Sequence, residues 1–193
     1  MSDIERATVS RRGLTTGLAG GLVVVLSGCL GGDEAGETEG ISPIDLDGER
    51  ACDQCGMIVE DHPGPVGQIH FADDEPEGGR LGQFCSSTCT YTYRFDAEDA
   101  GRDPLVVFIT DYSLVEQETF ETGSDTMFSS HVDREAFSST TELTVVARSE
   151  VTGAMGPDLI PFSDGDDVDA FIEEYGGDPR DAEDVDRATL DAL

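Results

Sequence analysis

After residue 50 the chain is a series of short apolar runs, several of which alternate with polar residues. The alternation in residues 68–71 predicts a half-buried strand, and residues 80–84 predict its hairpin partner. The most hydrophobic run of this part, residues 105–109, predicts a central strand, and residues 143–147 predict another. Strand signals therefore dominate both halves of the sequence.

Two segments carry helical patterns instead. Residues 86–95 predict a helix with Ser86 or Ser87 as its N-cap, although residues 90–93 also alternate like a strand. Residues 167–175 predict a second helix that ends at two glycines, Gly176 and Gly177. In each half a hairpin is thus followed by a phenylalanine and a helix. We expect an α+β fold of two similar strand-rich units, each with one helix and small, mainly antiparallel sheets.

The first 28 residues have the pattern of an export signal. Arg11 and Arg12 precede an apolar run, residues 14–26, that is too short and too glycine-rich for a transmembrane helix. The paired arginines fit a twin-arginine signal. The run ends in Leu-Ser-Gly before Cys29 and resembles a lipobox, which predicts a lipid anchor at Cys29 on the outer face of the cell membrane. The alternative is an uncleaved anchor in which Cys29 is an ordinary thiol.

The remaining sequence divides by composition into three parts. Residues 29–49 are rich in Gly, Asp, Glu and Thr and predict a flexible acidic tether. Residues 50–178 are long enough for one modest hydrophobic core and form the candidate metal-binding domain. Residues 179–193 form an acidic C-terminal tail, in which residues 182–190 favour a short helix.

The chain is strongly acidic, with 42 Asp and Glu against 11 Lys and Arg and a formal net charge of −31. The chain contains no lysine, so these 11 cationic side chains are all arginines. Charge of this sign excludes nucleic acid as a partner. Self-repulsion of this size is screened in molar salt, where the Debye length is roughly 3 Å, so the composition indicates a halophile.

Four of the five cysteines form two clusters, Cys52 with Cys55 and Cys85 with Cys89. On a helix, Cys85 and Cys89 lie one turn apart on one face. Gly56 and Met57 follow the first pair directly. Soft thiolate and thioether ligands favour Cu(I), whereas four thiolates without a methionine favour zinc. Disulfides are a further alternative for an exported protein.

Met155 is a second candidate thioether ligand. It lies between Ala154 and Gly156 in a loop with little for its side chain to pack against, so metal ligation is easier to accept there than for a methionine within an apolar run. The sequence contains no Ser/His/Asp set and no carboxylate pair at catalytic spacing. We therefore do not expect an enzyme.

These motifs, taken in order, resemble the NosL family. The sequence Cys-Asp-x-Cys-Gly-Met-Ile is followed by Gln-Ile-His-Phe, Val-Phe-Ile-Thr-Asp-Tyr, and Ala-Met-Gly-x-x-Leu-Ile-Pro-Phe ahead of a helix that ends in Gly-Gly. The resemblance covers about residues 50–177. It implies two similar α+β units and a lipid-anchored Cu(I)-binding accessory protein that helps assemble the copper centres of nitrous oxide reductase. It also implies that Cys52, Cys55, Met57 and Met155 belong to the copper site.

The second cysteine pair departs from that pattern. Phe-Cys-Ser-Ser-x-Cys, which contains Cys85 and Cys89, resembles YHS and TRASH metal-binding modules, in which such a pair shares one site with Cys-x-x-Cys-Gly-Met. A four-thiolate copper site, a structural zinc and a disulfide between Cys85 and Cys89 all remain open on this basis. The alternative function is a zinc- or disulfide-stapled module that binds a protein partner.

Overall fold

The structure is a computed structural model that describes residues 40–72, 80–123 and 125–193. The predicted export signal, Cys29 and the first part of the predicted tether lie outside these residues. Within the described residues, no helix combines the length and apolar character needed to cross a bilayer.

The described chain alternates short strands with three α-helices. The strands are β1 (Gly67–Phe71), β2 (Gly82–Phe84), β3 (Pro104–Thr110), β4 (Thr119–Thr122), β5 (Asp125–Phe128), β6 (Phe137–Ser139), β7 (Thr144–Ala147), β8 (Val151–Gly153), β9 (Gly156–Pro157), β10 (Ile160–Phe162) and β11 (Asp178–Asp181). The helices are α1 (Ser87–Asp99), α2 (Gly165–Tyr175) and α3 (Arg187–Asp191). Short 3-10 helices cover Val59–Asp61, Arg134–Ala136, Thr140–Glu142 and Ala182–Asp184.

The strands form three small sheets, with the orders β2-β1-β3-β6, β10-β7-β11 and β4-β5-β8-β9. Among their pairings only β5 with β8 is parallel. The predicted α+β class with small, mainly antiparallel sheets is therefore confirmed. Phe84 and Phe162 are both fully buried at the ends of strands that lead into α1 and α2, which matches the hairpin-phenylalanine-helix pattern of the sequence.

Buried side chains form two hydrophobic clusters. The larger one lies between α1, the first sheet and strand β7, and it contains Cys52, Cys85 and Cys89 beside bulky residues such as Phe84 and Tyr91. The smaller one packs α2 against the other sheets through an aromatic group made of Tyr112, Phe128, Phe162 and Phe171. Three candidate ligands are thus part of the main core.

Helix α1 begins where the sequence predicts it, and the strand alternative for residues 90–93 is wrong. The Ser86 hydroxyl accepts a hydrogen bond from the Cys89 amide at 2.9 Å and caps the first turn. Inside the helix, the Thr90 hydroxyl donates to the Ser86 carbonyl, which satisfies the side chain without a strand partner. The helix packs directly on β1. The absence of a side chain at Gly67 allows this close approach, since a Cβ there would lie 2.2 Å from the Thr90 hydroxyl oxygen.

Both ends of the described chain pack on the domain more closely than the sequence indicates. Near the start, Leu46 is fully buried, and the buried Gln68 amide bonds both the N–H and the carbonyl of Ile44. The predicted flexible tether therefore becomes ordered before residue 49.

The acidic C-terminal segment is part of the fold. Its first residues form β11, which pairs with β7 at the edge of a sheet. An edge strand tolerates Pro179, whose ring removes a hydrogen-bond donor. The Ala182 carbonyl then accepts a hydrogen bond from the hydroxyl of Tyr91. The helix predicted over residues 182–190 is shorter, since Asp186 forms a capping box and starts α3 at Arg187.

Candidate metal centre

A closed loop carries the first cysteine pair. Ala51 and Ile58 form an isolated antiparallel bridge at its base, and the Cys52 amide donates to the Met57 carbonyl at 2.7 Å. The Gly56 amide in turn donates to the Cys52 carbonyl. Gly56 has a φ of +80°, which glycine adopts at little cost and which closes the turn directly after Cys55. Both thiols are thereby placed on one short turn.

Asp53 attaches this turn to β2. Its carboxylate accepts a hydrogen bond from the Gln83 backbone amide at 2.9 Å and forms a bidentate ion pair with Arg80. The Asp53 amide donates back to the Gln83 carbonyl. Because Cys85 follows β2 by one residue, these bonds fix the first cysteine pair relative to the second.

The second pair lies at the start of α1. Cys85 precedes the N-cap, and Cys89 is the residue whose amide the cap binds. Thiolate charge is favoured at this end of a helix, where unpaired amides and the helix dipole point toward the ligand. The expectation that both cysteines lie on the helix is wrong for Cys85, which precedes it. Both side chains are nevertheless buried, with their Sγ atoms 3.9 Å apart.

The four sulfur atoms meet at one point. All Sγ atoms of Cys52, Cys55, Cys85 and Cys89 lie within 4.8 Å of one another. Cys85 Sγ is 3.4 Å from Cys55 Sγ and 3.9 Å from Cys89 Sγ. Tetrahedral ligands at a metal–sulfur distance of about 2.3 Å would be about 3.8 Å apart. All four cysteines are free thiols, so the disulfide alternative is absent from this structure.

The pKa values of the three buried thiols are shifted in different directions. Hydrogen bonds from the thiols of Cys85 and Cys89 stabilise a Cys52 thiolate and lower the pKa of Cys52 well below its ordinary value. The pKa of Cys85 lies far above its ordinary value because of its hydrogen bonds with Cys52 and Cys89 and because of burial. The pKa of Cys89 is raised to about 12, chiefly by its hydrogen bond with Cys52. A cation that enters the cluster must therefore displace protons from thiols that hold them tightly.

The two predicted thioether ligands occupy different settings. Met57 lies in the loop of the first cysteine pair, and its half-buried side chain packs against the main hydrophobic cluster. Met155 lies at the turn between β8 and β9 and is 49% exposed. The neighbouring Ala154 packs against the cluster that contains Cys52, Cys85 and Cys89. The participation of Met57 and Met155 in ligation stays a prediction.

A residue that the sequence did not single out joins the Met155 hairpin to α1. Asp158 is 2% exposed, and its Oδ1 accepts hydrogen bonds from the amide and the hydroxyl of Thr88, at 2.8 and 2.9 Å. Its Oδ2 lies against Gly153, where an added Cβ would be 2.3 Å away. Burial raises the pKa of Asp158 to about 6. The partner lies 70 residues away in the chain, so no local motif could have revealed it.

The fold and the site together define a small metal-binding domain with a thiol centre near its surface. The family model NosL matches residues 43–190, so the chain belongs to the NosL family. It is 28% identical over 181 residues to the "Copper-binding lipoprotein NosL" of Stutzerimonas stutzeri, covering 93% of this chain and 84% of that protein.

A solved structure has the same fold. The crystal structure of the copper chaperone NosL from Shewanella denitrificans matches with a TM-score of 0.60 and 26% identity, covering 74% of this chain and 94% of that one. The family is one of copper chaperones and not of enzymes, which agrees with the absence of catalytic motifs from the sequence.

Proposed function

We propose that this protein is an extracytoplasmic, membrane-tethered Cu(I) chaperone that serves the assembly of the copper centres of nitrous oxide reductase. The observation that carries the proposal is the convergence of four cysteine sulfurs within 4.8 Å, three of them buried and one exposed. Family membership supports copper as the cargo, since a relative is named a copper-binding lipoprotein and another a copper chaperone.

The donor set fits a soft monovalent cation. Thiolates are the ligands that Cu(I) prefers, and the Met57 and Met155 thioethers are further soft donors in the same part of the domain. Cu(I) accepts fewer than four ligands, so it can be held without every sulfur of the set. We propose the four cysteines as the primary ligands and the two methionines as accessory ones.

The membrane tether and the client are the finer parts of the proposal. A lipid on Cys29 would hold the domain at the outer face of the membrane, and the name of the Stutzerimonas relative supports this. The twin-arginine pair would direct export of the chain, and its acidity would suit a halophilic cell. Nitrous oxide reductase as the client follows from the family resemblance of the sequence motifs.

Metal analysis of the reduced, exported chain tests the copper assignment. A Cys29→Ala variant keeps the protein in solution and removes the one thiol outside the cluster. Under anaerobic conditions we expect one Cu(I) per chain in equilibrium competition with bicinchoninate. Cys85→Ser should lose this binding, and Ser149→Ala, which lies far from the cluster in sequence, serves as a matched control. A chain that fails to compete with bicinchoninate contradicts the proposal.

Zinc is the second candidate, because four convergent thiolates are a common structural zinc site. In this alternative, a structural zinc holds the domain together and the domain binds a protein partner. Purification followed by elemental analysis separates the two: firmly held zinc that Cu(I) cannot displace favours the staple, whereas Cu(I) that binds in preference to zinc favours the chaperone.

A further inference from the structure

The four cysteines of the cluster are unequal in their access to solvent. Cys85, Cys52 and Cys89 are 0%, 3% and 4% exposed, whereas Cys55 is an exposed residue. Yet Cys55 Sγ lies 3.4 Å from the fully buried Cys85 Sγ. One sulfur therefore sits at the mouth of the site and three form its interior.

The three interior sulfurs are held by regular structure and by packing. Cys85 lies between β2 and the capped start of α1, and Cys89 lies in the first turn of that helix. Cys52 is buried in the main hydrophobic cluster, and the turn around it is bonded to β2 through Asp53. These positions cannot shift without disturbing the core.

Cys55, by contrast, is exposed and lies outside the hydrophobic cluster. It lies at the outer end of the turn, directly before Gly56, where an added Cβ would meet no atom within 4 Å. The space beside the turn is therefore open. An incoming ligand can approach the cluster at Cys55 without displacing any part of the core.

We propose that Cys55 is the exchange ligand of the site, the sulfur that leaves Cu(I) when a sulfur donor of the receiving partner arrives. This inference rests on the proposed Cu(I) function. One copper–sulfur bond forms with the thiolate or thioether of the partner, and the bond to Cys55 breaks. Copper stays monovalent throughout, and the released Cys55 thiolate takes up a proton from water. The three interior thiolates retain the cation until the partner supplies further ligands.

The kinetics of release distinguish an exchange ligand from an ordinary one. Loss of an ordinary ligand weakens binding and speeds release. Loss of the exchange ligand leaves the three interior thiolates in place and forces an acceptor to displace a buried sulfur. We therefore expect Cys55→Ser to weaken Cu(I) binding less than tenfold and to slow transfer at least tenfold.

The experiment uses the Cys29→Ala chain loaded with one Cu(I), and it measures equilibrium affinity and stopped-flow transfer separately. Dithiothreitol is the sulfur acceptor and bicinchoninate a nitrogen acceptor. Cys89→Ser is the matched control at an interior position; it should weaken binding more than a hundredfold and speed release to both acceptors. Transfer from Cys55→Ser to dithiothreitol that is as fast as, or faster than, that of the parent overturns the inference.

A second measurement needs no substitution in the cluster. N-ethylmaleimide is added to the Cu(I)-loaded chain, and the alkylated cysteines are mapped by mass spectrometry. We expect modification at Cys55 with protection of the three interior thiols. Equal protection of all four overturns the inference while leaving copper binding intact. Absence of Cu(I) binding by the parent chain instead refutes the proposed function itself.

Discussion

The buried carboxyl group of Asp158 makes a quantitative prediction about stability and pH. Its pKa rises from 3.8 to about 6, chiefly because burial disfavours the charged form, and the hydrogen bonds from Thr88 and Leu159 offset only part of that cost. At about 1.4 kcal/mol per pKa unit, the shift corresponds to about 3 kcal/mol. Its Oδ2 has no hydrogen-bond partner in the part of the chain that the structure describes.

The direction in which pH changes the free energy of unfolding follows from thermodynamic linkage. A folded-state pKa above the unfolded value means that the folded state binds the proton more tightly. The contribution of Asp158 to stability is therefore complete below about pH 4 and is lost as pH rises through about 6. About half of the loss, roughly 1.4 kcal/mol, falls between pH 5 and pH 7.5.

Asp158→Asn isolates this effect because it keeps a carbonyl oxygen for the Thr88 bonds and carries no charge at any pH. Urea unfolding of the metal-free, reduced proteins, followed by circular dichroism in molar salt, gives the free energy of unfolding of each. We expect the difference between parent and variant to shift in favour of the variant by about 1.4 kcal/mol from pH 5 to pH 7.5. Other carboxylates cancel in the difference. A difference that is independent of pH would refute the reasoning.

Four further substitutions test the packing and the site. Gly67→Ala should destabilise the domain by about 2 kcal/mol in urea unfolding, and Thr90→Ala should recover part of the loss, because the added Cβ meets the Thr90 hydroxyl. Asp53→Ala should lower Cu(I) affinity about tenfold in chelator competition, since it removes the side-chain bonds between the first cysteine pair and β2 and leaves only the backbone bond to Gln83. Arg80→Gln, which keeps the bond from the Gln83 backbone amide to the Asp53 carboxylate, should cost less. Unchanged affinity in both would show that the turn holds its position alone.

The cysteine centre was the part of the site most accessible from sequence. Each pair is encoded locally: a Cys-x-x-Cys-Gly turn places Cys52 and Cys55 together, and Cys85 and Cys89 lie on either side of the Ser86 N-cap at which α1 starts. The resemblance to YHS and TRASH modules predicted that the pairs share one site. What spacing could not supply was the difference in exposure among the four sulfurs, because burial depends on the elements packed above each one.

The parts that sequence reasoning missed depend on contacts between distant segments. Asp158 reads as one more acid in an acidic chain, yet it is buried against Thr88 through an interaction that spans 70 residues. No strand was predicted around Pro179, but β11 lies at the edge of its sheet, where a proline is tolerated. Leu46 seemed part of a tether because its neighbours are polar, yet it is buried in the main cluster, its amide donates to the Val132 carbonyl, and Gln68 bonds the nearby Ile44.

The setting of the thiols also decides whether the fold needs its metal. In small zinc-dependent domains the ligands replace a core, and removal of the ion unfolds the chain. Here Cys52, Cys85 and Cys89 lie inside a large cluster of buried apolar side chains that includes Phe84, Tyr91 and other residues from several elements. Burial of that cluster, rather than coordination, should hold the domain together.

We therefore expect the metal-free chain to keep its fold. Any ion that binds the folded state raises the midpoint of unfolding by mass action, so a shift in midpoint decides nothing. The decisive measurement is circular dichroism and unfolding of the reduced protein after a chelator has removed the metal. We expect a near-native spectrum and a single cooperative unfolding transition. Oxidation is excluded by free-thiol titration in the same sample. Loss of secondary structure when the metal is removed, at pH 7 and in molar salt, would show that the thiol centre is a structural metal site and not a site for carrying copper.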